Sequence, residues 1–134
     1  MRQFYESGIE TTCFISPIFP GITNVIEIIE RTKGQCNMIW LENLNLRGDY
    51  RKRILDWIHA HHPELDGLYQ EIYTKKKRDY WEALDREIRE YAAKEGMVYT
   101  RDDDLHRSPF GMPPVVCNYF YHEEVKKSAK KGKQ

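Results

Sequence analysis

The stretch Ile9-Glu10-Thr11-Thr12-Cys13-Phe14-Ile15-Ser16-Pro17-Ile18-Phe19-Pro20-Gly21-Ile22-Thr23-Asn24 decides the fold. Its first half, Ile9 to Ser16, is rich in β-branched residues and follows Gly8, which reads as a strand. Pro17, Pro20 and Gly21 then break regular structure, so a shaped loop follows. Asn24 has the chemistry of a helix N-cap, with Glu27 in capping-box position. Val25, Ile28 and Ile29 continue as an apolar helix stripe, and Gly34 is a plausible stop. Met38 to Asn43 (MIWLEN) is the next strand. Strand, helix and strand at this spacing make a βαβ unit with parallel strands.

Working outward, Leu44 to Asp49 forms a loop into a helix over Tyr50 to His61, capped by Asp49, with Ile54, Leu55 and Ile58 as its buried face. Pro63 ends it. Leu65, Leu68, Tyr69 and Ile72 make a short apolar stripe. Trp81, Leu84, Ile88, Tyr91 and Ala92 make a longer one, with Asp79 and Glu82 as a capping pair and Gly96 as its close. Met97 to Thr100 is a candidate short strand, and Pro114 to Tyr121 a second strand or an extended packing segment. The expected fold class is α/β, a partial barrel of parallel strands with a helical C-terminal extension. The expected division is βα units over 1–62, the extension over 63–121 and a basic flexible tail over 122–134.

Parallel sheets need several strands with both faces covered. The Ile9–Ser16 strand therefore has an edge that earlier strands, a partner chain or a rearranged later strand would cover. At 134 residues the chain has the length of one domain, and its 21 basic and 21 acidic residues balance, so net charge favours no class of partner. No apolar run is long enough to span a bilayer, and residues 1–10 have no apolar signal core, so the expectation is no membrane and a cytoplasmic location. The three cysteines, Cys13, Cys36 and Cys117, are widely spaced and read as free thiols.

The loop Ser16-Pro17-Ile18-Phe19-Pro20-Gly21-Ile22-Thr23-Asn24 resembles the P-x-x-P-G-(T/L)-(N/D) stretch late in the radical S-adenosylmethionine (SAM) barrel, nearest to spore-photoproduct-lyase-like members. Ile39 to Gly48 is similar to the following strand of those proteins. Together with the ending PPVVCNYFYHEEVKKSAKKGK, the pair is similar to the proteins called radical mobile pair protein B. The resemblance covers essentially the whole chain, but only the last part of such a protein. It implies a cofactor pair in the intact family: SAM and a 4Fe–4S cluster held by a C-x-x-x-C-x-x-C motif near the N-terminus. Electron transfer cleaves SAM to a 5′-deoxyadenosyl radical that abstracts hydrogen from substrate. The motif is missing here, so no cofactor is expected for this chain alone, and no catalytic or metal-ligating residue is assigned. The implied partner is an N-terminal radical SAM half, with self-association through the exposed sheet edge as the alternative.

Ligands of α/β sheets lie at the C-terminal ends of strands. By that rule and the resemblance, Ser16, Pro17, Pro20, Gly21, Thr23, Glu42 and Asn43 are the candidate cofactor-binding residues, and Asn45 and Arg47 the candidate substrate-binding ones. Turn chemistry, with Arg47 paired to Asp49, is the bland reading of the second patch. His59, His61 and His62 read as a solvated helix end, and Asp102, Asp103 and Asp104 as an exposed turn. Lys75, Lys76, Lys77 and Arg78, with Lys126, Lys127, Lys130, Lys131 and Lys133, are basic clusters able to touch phosphates. Tyr119, Phe120 and Tyr121 could stack on bases, though core packing is the plainer role. A nucleic-acid-binding, non-enzymatic module is thus the alternative function.

Overall fold

The computed structural model describes residues 1–102 and 104–120. A short helix α1 (Arg2–Glu6) precedes strand β1 (Thr12–Ile18), helix α2 (Val25–Thr32), strand β2 (Met38–Asn43) and helix α3 (Tyr50–His61). A 3-10 turn (Pro63–Leu65), helix α4 (Asp66–Tyr69) and a π turn (Gln70–Thr74) run on into helix α5 (Asp79–Lys94). Strands β3 (Tyr99–Thr100) and β4 (Val115–Asn118) complete a four-stranded sheet in the order β1-β2-β4-β3. Every pair is parallel, so the fold is α/β, as the βαβ pattern requires. The two candidate strands read within the extension are present as β3 and β4, and both join the same sheet as β1 and β2.

The first strand lies later than the β-branched run implies. It begins at Thr12 and continues through the cis Ser16–Pro17 bond to Ile18, with a register irregularity between Ile15 and Ile18. The proline is tolerated because β1 is an edge strand and its amide-free side needs no ladder partner. Asn24 caps α2 through its side-chain oxygen, which accepts from the Glu27 amide at 3.1 Å. The other caps differ from expectation. Asp49 makes no side-chain cap bond, and α5 starts after Arg78 with Asp79 already inside its first turn. Gly96 closes α5 with φ +69°, a conformation open to glycine.

Alternation fixes what each sheet face does. Ile15, Ile39, Leu41 and Val116 share one face and pack against Ile29 of α2, Ile58 of α3, Tyr69 of α4 and Ile88 of α5. On the other face, Met38, Val115 and Cys117 are buried, whereas Phe14 is 54% exposed, Ser16 is exposed, and Trp40 and Glu42 are half-buried. This second face is therefore uncovered along the whole of β1, where Thr12 is exposed too, and over the C-terminal half of β2, and among the described residues the outer edge of β1 has no neighbouring strand.

Candidate functional site

Two loops frame the open end. The loop after β1 closes on itself: the Thr23 hydroxyl accepts from the Phe19 amide at 2.9 Å, and the Ile22 and Thr23 amides donate to the Phe19 carbonyl. Tyr69 donates its hydroxyl to the Pro20 carbonyl at 2.9 Å, and the Gly21 amide donates to the Tyr80 hydroxyl at 2.9 Å. Gly21 sits at φ +73°, and a Cβ there would lie 2.8 Å from a Leu65 methyl. The left-handed backbone favours glycine here, and any added Cβ would also push the Leu65 methyl aside.

The loop after β2 is held from the same side. Tyr73 donates to the Leu44 carbonyl at 2.7 Å, and Arg51 donates to the Tyr73 carbonyl at 3.0 Å. Tyr69 and Tyr73, one turn apart with ring centroids separated by 5.6 Å, thus anchor one loop each. Burial raises both phenols, so they remain neutral donors. Sequence reading placed Tyr69 in a packing stripe and gave Tyr73 and Tyr80 no part. A tyrosine hydroxyl aimed at a distant carbonyl leaves no local signature.

The candidate residues divide accordingly. Pro20, Gly21 and Thr23 are brought together as one loop whose polar groups are engaged internally. Ser16 and Pro17 are exposed, and Ser16 shares the open face with Glu42 by strand alternation. Asn43 lies on the opposite side of β2, in register with Ile18. The Asn45 carbonyl accepts from the Tyr50 hydroxyl at 2.6 Å, and Arg47 is exposed beside Gly48 at φ +60°. Across the open face runs a row of rings: Phe14 to Trp40 at 5.8 Å and Trp40 to Tyr119 at 5.3 Å. Phe120, by contrast, packs on Trp81 in the helix-side core.

The cysteines do not fit a cluster site. Cys13 and Cys36 pack with the helix-side core, and Cys117 projects from the opposite face. Desolvation raises the Cys13 thiol and pushes Cys36 up to about 12, against the thiolate form that iron ligation needs. Among the described residues no group of three or more His, Cys, Asp or Glu side chains could hold a metal ion. His59 has an acidic neighbour: its Nδ1 lies 2.5 Å from Asp66, which raises its pKa. Asp102 accepts from the Asp104 amide at 2.9 Å, a local turn. Lys77 pairs with Glu71 at 3.4 Å, and Asp103, Tyr121 and the tail lysines 126, 127, 130, 131 and 133 lie outside the described residues.

No family model matches the chain. It is similar to an uncharacterized protein of Methanocaldococcus jannaschii, with 34% identity over 64 residues. That stretch is 48% of this chain and 24% of the archaeal protein, so the chain spans about a quarter of its curated relative. No solved structure matches. Among the described residues no helix is long and apolar enough to cross a membrane.

Proposed function

We propose that this chain is the C-terminal portion of a radical SAM-type barrel, inactive alone, that works when an N-terminal portion supplies the cluster cysteines. The observation that carries the reading is the parallel sheet with helices α2 to α5 on one face and, on the other, an uncovered stretch along β1 and the C-terminal half of β2. In a closed barrel that second face would be interior, and the bare edge of β1 would pair with a preceding strand. Ser16 and Glu42 lie on this side and are the groups positioned to meet a ligand held there; Pro20, Gly21 and Thr23 fix the loop beside them. The cluster itself would be held elsewhere, since Cys13, Cys36 and Cys117 do not converge.

The test is anaerobic iron and sulfide reconstitution of two proteins. The chain alone should take up no stoichiometric cluster. A chimera in which its matched stretch replaces that of the longer archaeal relative should show thiolate-to-iron charge-transfer absorbance and release 5′-deoxyadenosine from SAM. A stoichiometric cluster on the chain alone overturns the reading. So does a folded archaeal protein and chimera that bind no iron.

One observation favours a second reading. The Phe14, Trp40 and Tyr119 row on an open sheet face is a surface on which bases can stack, as in non-enzymatic single-strand binders. That reading requires a labelled oligonucleotide to bind at low salt and to be released steeply as salt rises.

A further inference from the structure

Away from the sheet face, the β1–α2 loop and helix α3 enclose a groove of about 500 Å³. Its lining is Phe19, Ile22, Arg53, Ile54 and Trp57. Ile22 is 39% and Trp57 45% exposed, large apolar groups that most surfaces would cover. The volume falls in the range typical of small-molecule sites. The indole is braced rather than loose: it stacks on His61 at 4.6 Å, and the His61 ring nitrogen lies 3.0 Å from the Trp57 carbonyl.

Charge at the rim selects the occupant. Arg51 is engaged with the Tyr73 carbonyl and Lys52 with Asp56 at 3.3 Å. Arg53, the one polar residue in the lining, has no carboxylate partner among the described residues. The groove is only one α3 turn long, from Arg53 to Trp57. A docked helix would need anchors over two turns, and an added strand would need backbone partners that this apolar wall does not offer. We infer that the groove binds a free apolar monocarboxylate of medium chain length, its tail along Phe19, Ile22, Ile54 and Trp57 and its head on the Arg53 guanidinium.

Titration of the full chain with decanoate, below micelle-forming concentrations, tests this through the three tryptophan indole N–H signals, with Trp57→Phe to assign its own. Decanoate should move the Trp57 signal saturably and leave that of buried Trp81 in place. Decanol should bind more weakly. Arg53→Gln should weaken decanoate roughly three- to tenfold and abolish its advantage over decanol. Ile22→Asp should remove binding of both. A still Trp57 signal, or equal binding of decanoate and decanol by the unaltered chain, overturns the inference. A Trp57 signal that shifts on diluting the protein alone also overturns it, because a second copy would then fill the groove.

Discussion

Replacing Tyr69 by Phe should destabilise the protein by about 1–3 kcal/mol, because the Pro20 carbonyl then lies buried without its donor. Urea unfolding checks this, and an unchanged midpoint would mean that water replaces the hydroxyl. Gly21→Ala should cost roughly 1–2 kcal/mol from its left-handed backbone alone, before the approach to Leu65 is counted. The His59 and Asp66 pair gives a pH signature. Its raised folded-state pKa means the contribution is complete below the unfolded value, about 6.5, and is lost as pH rises through the folded value. The midpoint difference between the unaltered chain and His59→Gln should therefore shrink as pH rises from about 5.5, roughly one unit below the unfolded value, to well above it. A difference that grows with pH would exclude the pair.

At the level of elements, the two faces of the sheet should respond unequally. Leu41→Ala, at the fully buried helix side, should cost about 2–5 kcal/mol, and Phe14→Ala, on the open side, less than about 1 kcal/mol. Equal losses would mean that the open face is packed in solution. The βαβ unit was readable because its information is local: alternation in MIWLEN, the Asn24 cap and the Val25 to Ile29 stripe each lie within a few residues. The place of Val115–Asn118 between β2 and β3 was not, since register across more than 70 residues depends on pairing and not on pattern. The same holds for the site. Ser16 and Glu42 could be assigned to a strand end from sequence, whereas the tyrosines that immobilise Pro20 and Leu44 reach across the fold from a segment with no motif.

For the molecule as a whole, stability should grade across the sheet. Amide exchange is expected to be slowest in β2 and β4, which have neighbours on both sides, and faster in the edge strands β1 and β3. If an N-terminal portion completes the barrel, adding it should slow β1 selectively; uniform protection would point to general stabilisation instead. One consequence of the strand order concerns birth rather than function. One of the two interior strands, β4, is the last of the four to leave the ribosome. Until residue 118 emerges, β1 and β2 form a two-stranded ribbon with both flanks bare. A nascent or prematurely terminated chain therefore offers chaperones and proteases two unprotected backbones, and the finished chain withdraws one of them in a single late insertion.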